Sequence, residues 1–300
     1  MAPPLRIEIA APLARSLAAA GGKPRGLARI GHKLRKALFF TLHQRLGLPA
    51  PARIHLRDGS SFAVDCGNTA FLQLAKSLAA GGYEPEVTAL AERLAPFIGT
   101  AYDIGANWGY LSLVLATAPG FHGHVHAFEI DPRTSADLAR TIERAGIADR
   151  VSGHPFGLSD HDGTARLSRS RHSFLTQISE TDGNRVAVRQ LDALALPPPD
   201  LIKLDVEGHE AAVLRGGVRM LETARPLIVF ESWWRDGVAA PETLELLEHH
   251  GFALHRLVAL EGNVRAEPLT AAERAAVPET LNLLAVPPQR REWLERVGIV

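Results

Sequence analysis

The chain has 300 residues, 46% hydrophobic and 22% charged, with 33 basic and 33 acidic side chains and a formal net charge of zero. That composition fits one large α/β domain or two small ones and supplies no global field to draw nucleic acid. The lone cysteine, Cys66, excludes an intrachain disulfide and favours the cytoplasm; no apolar run reaches the roughly eighteen residues of a membrane span, and Arg6, Glu8, Arg15 and Lys23 break up any secretory signal.

From the amino terminus, no acid falls between Glu8 and Asp58, while Arg15, Lys23, Arg25, Arg29, Lys33, Arg35, Lys36, Arg45, Arg53 and Arg57 all do. Leu27, Ile30, Leu34, Leu38 and Leu42 recur at helical spacing, which predicts a basic amphipathic helix. Two readings stay open: an interfacial helix resting on anionic lipid, or a helix packed on the main domain of its own chain or on a second subunit of a homo-oligomer. Arg53 to Leu56 and Phe62 to Val64, around Asp58-Gly59, read as a small β-hairpin, followed by helices over 70–80 and 85–96. The expected organisation is a basic helical extension (1–50), a hairpin and linking helix (51–80) and a main domain (81–300).

In that main domain strands and helices alternate from 101 to 258, with a last strand at Asn282 to Val286. Ala101 to Gly109 (AYDIGANWG) is an apolar strand ending in Asp103, then a turn with Gly105, Asn107 and Gly109 that opens a helix. Such a turn leaves backbone uncovered for a ligand at a helix start. It is neither a Walker A loop nor G-x-G-x-x-G, and its acid suits a ligand carrying a positive amine, such as S-adenosylmethionine. Val125 to Glu129 is a second strand ending in an acid, placed to accept both hydroxyls of a ribose; Asp131-Pro132 then opens the next helix. Leu201 to Glu210 (LIKLDVEGHE) ends a strand in Asp205, followed by Glu207, Gly208 and Glu210, and Pro226 to Glu231 (PLIVFE) ends in Glu231. Four carboxylates at one sheet edge repel one another unless a cation or hydrogen-bond donors sit among them, so this edge reads as a site. Lys203, inside a buried strand, reads as a structural partner for a neighbouring acid.

Between the third and fourth sheet strands, 164–190 reads as a hairpin-like insertion and substrate lid, with Arg166, Arg169, Arg171, His172 and Ser173 at its middle. His122, His124 and His126 share one strand face, but with no fourth ligand at suitable spacing they read as a partly solvated row, and no metal site is assigned. Trp233 and Trp234 could wall an acceptor pocket or pack in the core.

DIGANWGYLS, FEIDP, IKLDVEGHEAAVLRGG and RPLIVFE, in that order, resemble the FkbM-type S-adenosylmethionine-dependent methyltransferases, with GGYEPE at 81–86, GLSDHDG at 157–163, VRQLDAL at 188–194 and NLLAVP at 282–287 in support. The likeness covers roughly residues 80 to 290. It departs at Ile130-Asp131, which stand before Pro132 where the family usually has proline directly after the acid. The resemblance implies a doubly wound, mostly parallel seven-stranded sheet of the class I methyltransferase, Rossmann-like type, and O-methylation of a hydroxyl on a sugar, a lipid-linked glycan or a secondary metabolite. It implies cofactor contacts from Tyr83, Glu84, Asp103, Gly105, Asn107, Gly109, Glu129, Phe156, Gly157, Asp160 and Asp205. A hydroxyl nucleophile needs its proton removed; Asp205 is the first candidate base, followed by Glu207 and Glu231, with His209 as another. A divalent cation held by the same acids is a less favoured use of them. The rival classes are a non-catalytic methyltransferase-fold scaffold working through the basic helix and a nicotinamide-dependent oxidoreductase.

Overall fold

A computed structural model describes residues 5–18, 27–80, 82–169, 176–179, 183–232, 234–235, 238–239, 241–260, 263–270 and 281–300. They form two compact units, Met1–Pro85 and Glu86–Val300. In the first unit β1 (Arg6–Ile9), β2 (Pro51–His55) and β3 (Ser61–Asp65) make an antiparallel sheet in that order. The expected hairpin is β2–β3; β1 is an addition that ties the first residues to it, Ile7 opposite Ile54. Ala52, Ile54, Phe62 and Val64 alternate inward, which fixes the register. Helices α1 (Pro12–Ala18), α2 (Leu27–Phe39) and α3 (Thr69–Ala79) complete the unit, with a π-helical turn at Phe40–Arg45 and Asn68 capping α3 by accepting from Ala70 N at 3.0 Å. Among the described residues no helix is long and apolar enough to cross a membrane.

The second unit begins at Glu86 within α4 (Pro85–Leu94) and is built on β4 (Thr100–Ile104), α5 (Tyr110–Thr117), β5 (His124–Phe128), α6 (Pro132–Ala145) and β6 (Val151–His154). Next come β7 (Gly157–Leu158), β8 (Gly163–Arg169), β9 (Thr176–Ser179) and β10 (Asn184–Arg189), then β11 (Leu201–Leu204), α7 (Glu210–Arg215), α8 (Val218–Thr223) and β12 (Leu227–Ser232). Two short strands, β13 (Trp234–Arg235) and β14 (Val238–Ala239), precede α9 (Pro241–His249), β15 (Ala253–Leu260), β16 (Asn263–Pro268) and β17 (Leu281–Val286).

The large sheet runs β16-β15-β17-β12-β11-β4-β5-β6. From β12 to β6 every pairing is parallel, whereas β17 lies antiparallel to both β12 and β15. Eight strands stand where seven are expected, because β15 returns through β16 as an antiparallel hairpin. All four residues of β11 and four of the five in each of β4 and β5 are buried, the mark of strands covered by helices on both faces. Helix α6 is framed as its sequence reads: Asp131 accepts from Arg133 N, Pro132 takes the first position, and Gly146 (φ +67°) ends it.

The expected hairpin-like insertion is a second sheet of order β7-β10-β8-β9, in which β7 pairs with β10 in parallel and the rest are antiparallel. Arg171, His172, Ser173 and Trp233 lie outside the described residues.

Candidate active site

Because β4, β5, β11 and β12 run parallel, their carboxyl ends share one edge. The sheet reads outward in both directions from β4, so the crevice at that edge is where ligands of such folds bind. After Ile104 the chain turns through Gly105, Asn107 and Gly109, all at positive φ (80°, 54° and 96°), and enters α5. Gly105 N and Ala106 N both donate to Phe128 O, at 3.0 and 2.9 Å, stitching the turn to the end of β5. A Cβ on Gly105 would lie 1.8 Å from the Asp205 carbonyl oxygen, so only glycine lets this turn touch the one that follows β11.

Four acids lie at or just past the carboxyl ends of these strands, and each is shaped by its neighbours. Asp103 is fully buried in β4 and accepts from Ser112 Oγ of α5 at 2.7 Å. Burial raises its pKa, opposed by the Lys203 charge and the Ser112 hydroxyl. Glu129 stands one residue past β5; its two oxygens accept from Asn107 N (2.9 Å) and Asp131 N (2.8 Å). Burial pushes it up to about 7, the charges of Asp131 and Asp103 adding to the effect and the two backbone N–H groups opposing it. Asp205 accepts from Lys203 Nζ at 2.8 Å, which supplies the cation that the clustered acids require. Glu231 lies in β12, half-buried, in register with Asn282 of β17.

Glu207 is set apart by its backbone. It holds φ +55°, beside Gly208 at +95°, in a turn closed by Glu210. Glu210 is buried and accepts from Val206 N (3.2 Å) and Gly208 N (3.1 Å), so the last acid of D-V-E-G-x-E folds the turn that presents the middle one. A non-glycine residue held in the left-handed region over a closed turn is strain of the kind that collects at functional sites. Burial first, then the charges of Asp205, Glu231 and Glu210, push Glu207 up to about 8.

The structure thus brings Asp103, Glu129, Asp205, Glu207 and Glu231 to one edge around the Gly105–Gly109 turn. Other expected residues have separate engagements. His209 Nε2 meets Ser159 Oγ at 2.9 Å, joining the start of α7 to the segment after β7, and burial lowers its pKa. Asp160 pairs with Arg215 at 3.0 Å; hydrogen bonds from His161 and then Arg215 hold it down to about 2. Phe156 is half-buried against Phe128, with the Arg189 guanidinium 4.9 Å from its ring, and a Cβ on Gly157 would strike Ile130 at 2.4 Å. Tyr83 and Glu84 are the last residues of the first unit before Pro85, Glu84 at φ +42°.

Two residues central to this geometry had only structural or unassigned readings. The positional signal for Glu210 was present, a carboxylate two residues after a glycine where a helix starts. The expected pairing of Lys203 with a neighbouring acid is met by Asp205, whereas its alignment with Asp103 across β4 and β11 emerges only from strand register.

The expected histidine row lies on β5 and extends to β6. His126 Nδ1 contacts His154 Nε2 at 3.1 Å, His124 Nε2 contacts Ser152 Oγ at 2.9 Å, and His122 is exposed. Burial, then the charges of His124 and His154, push His126 down to about 4. Among the described residues no group of three or more His, Cys, Asp or Glu is placed to hold a metal ion.

A mostly parallel sheet whose last strand is reversed, with a glycine turn and acids at the parallel strand ends, defines a class I methyltransferase fold. Residues 103–254 match the model of the methyltransferase FkbM domain, just over half of the 300 residues, and the chain belongs to that family. It is 29% identical over 134 residues to the hexuronic acid methyltransferase AglP of Haloferax volcanii, covering 43% of this chain and 54% of that protein. The chain therefore spans about half the length of this curated relative. Among solved structures it is similar to a methyltransferase FkbM from Methylobacillus flagellatus KT (18% identity, TM-score 0.42, 62% of this chain and 43% of the other). It is also similar to an O-methyltransferase from Bacillus cereus in complex with SAH (15% identity, TM-score 0.42, 69% and 83%).

Proposed function

We propose that the chain transfers the methyl group of S-adenosylmethionine to a hydroxyl of a sugar-type acceptor, with Glu207 taking the hydroxyl proton. The observation that carries the reading is the shared edge. Buried Asp103 and Glu129 flank a glycine turn, and a carboxylate poised near neutrality stands on the adjoining one. The residues fit the cofactor. Each Glu129 oxygen accepts one backbone N–H and keeps a lone pair for a ribose hydroxyl. Asp103 and Asp205 supply negative charge for an amine and a sulfonium. When bound, S-adenosylmethionine supplies an activated methyl group, so this chain has to orient the acceptor oxygen, exclude water and receive its proton.

Glu207 suits that last task better than Asp205, whose carboxylate is engaged by Lys203. A base works best with a pKa near the working pH, and about 8 meets that condition. The bound cofactor would supply the methyl carbon and leave as the neutral thioether, and Glu207 would receive the proton that the acceptor hydroxyl gives up. A sugar acceptor draws its support from the family and from the hexuronic acid named for the relative AglP.

Isothermal titration with S-adenosylhomocysteine and, separately, NAD tests the cofactor: saturable binding of the former alone is expected, and tight NAD binding would overturn the reading. Transfer of labelled methyl to hexuronic-acid oligosaccharides in the presence of a chelator tests the acceptor class and the independence from metal.

A further inference from the structure

Helix α2 is built with two faces. Phe39, at its last position, is completely buried and packs on Phe40 and His43 at 6.0 and 4.8 Å between ring centroids. At 100° per residue, Leu34 lies about 140° around the helix from Phe39, with Ile30 and Leu38 one turn away on the same stripe. These three are exposed by 57, 66 and 50% (Ile30, Leu34, Leu38), and Leu46 and Leu48 just beyond the helix by 65 and 48%. Globular proteins scatter single exposed apolar residues; a stripe of leucine-type side chains along one helix is an interaction surface.

The flanks of the stripe identify what it meets. Lys33 and Arg35 are exposed and lie about 100° to either side of Leu34, where long basic side chains reach past an apolar face toward headgroups. Arg45 adds positive charge just beyond the helix, while Lys36, about 160° around from Leu34, lies on the side away from the stripe, where its charge adds to burial in lowering the pKa of Lys76. Residues 1–85 carry twelve Lys and Arg against four Asp and Glu, although the whole chain is neutral. A second copy docked through the same face would set these cations against one another, whereas an anionic bilayer complements both the charge and the leucines. We infer that α2 is an interfacial helix that seats the protein on an anionic membrane surface, with Ile30, Leu34 and Leu38 entering the acyl boundary. The inference does not depend on methyl transfer.

Vesicle flotation of the full chain tests it, using phosphatidylcholine alone and phosphatidylcholine with about 30 mol% phosphatidylglycerol. The protein should float with the anionic vesicles only, and less as salt rises from about 0.1 to 0.5 M. The triple change Ile30→Ser, Leu34→Ser, Leu38→Ser, all at exposed positions, should weaken binding at least about tenfold while leaving the circular dichroism spectrum unchanged. Lys33→Gln with Arg35→Gln should weaken binding and flatten its salt dependence. Absence of flotation by the parent protein, or equal flotation of the serine variant, would overturn the inference. So would a dimer seen by light scattering without vesicles that the serine variant dissolves, since the stripe would then belong to a second copy.

Discussion

Glu207 concentrates several physical facts on one side chain: left-handed backbone, burial, three acidic neighbours and a pKa near 8. If it accepts the acceptor's proton, Glu207→Gln should lower kcat by about two to four orders of magnitude and change S-adenosylhomocysteine affinity little. The rate of the unchanged protein should climb with pH to a plateau above about 8, because only the ionised carboxylate accepts a proton. A normal profile in the glutamine variant would return the role to Asp205 or Glu231. Gly105 is the complementary case, a residue defined by what it lacks. Gly105→Ala sets a methyl group on the Asp205 carbonyl at φ +80°, and should destabilise by about 3 kcal/mol or more and remove cofactor binding, read by urea titration and calorimetry. At this scale the sequence was readable wherever an acid or glycine closed an apolar run, as at Asp103, Glu129, Asp205 and Glu231. It was readable too for Lys203 as the partner of a neighbouring acid, and unreadable where the role depends on a turn's internal hydrogen bonds, as for Glu210.

Among the elements, the turn between β11 and α7 has the most to lose from one substitution. Glu210→Ala would strand Val206 N and Gly208 N without their acceptor in a half-buried turn, at a cost of about 2–4 kcal/mol. Glu210→Gln keeps an acceptor oxygen and should recover most of that loss in urea unfolding. Since the turn also positions Glu207, the alanine variant should lose kcat more than cofactor affinity. A merely stabilising glutamate would not produce that split. The parallel strands were legible because burial on both faces writes a continuous apolar run ended by an acid, as in LIKLD and VHAFE. The antiparallel pieces were less so. Strand β1 is four residues long and pairs with β2 across more than forty intervening residues, and β16 alternates weakly; neither carries a local signal strong enough to stand alone. The parallel β7–β10 pairing in the second sheet is a long-range choice that periodicity does not encode.

Taken over the whole molecule, the ionisable groups pull stability in opposite directions with pH, and the site is the reason. Glu129 and Glu207 have folded pKa values near 7 and 8, above the unfolded value of 4.5, so the folded state binds more protons than the unfolded one between those limits. Their contribution is fully present below 4.5 and is lost as pH rises through 7 and 8. His126 has a folded value near 4 against 6.5 unfolded, so its contribution is present above 6.5 and is lost as pH falls toward 4. Clustering carboxylates for function therefore costs stability on the alkaline side, where the acids are charged and crowded. Glu207→Gln removes one of those charges and should raise unfolding stability at pH 8.5 by about 1–2 kcal/mol, an amount already reduced for partial solvent access. At pH 5 the same change should be nearly neutral, because the native carboxyl is already protonated there. His126→Gln should show the reverse trend, losing its pH dependence between about 4 and 6.5 while leaving the alkaline limb as it was. Equilibrium urea unfolding of the three proteins across pH 4 to 9 resolves both limbs, and an equal gain from Glu207→Gln at pH 5 and 8.5 would mean that the ionisation of the buried carboxylate at the sheet edge is not its source.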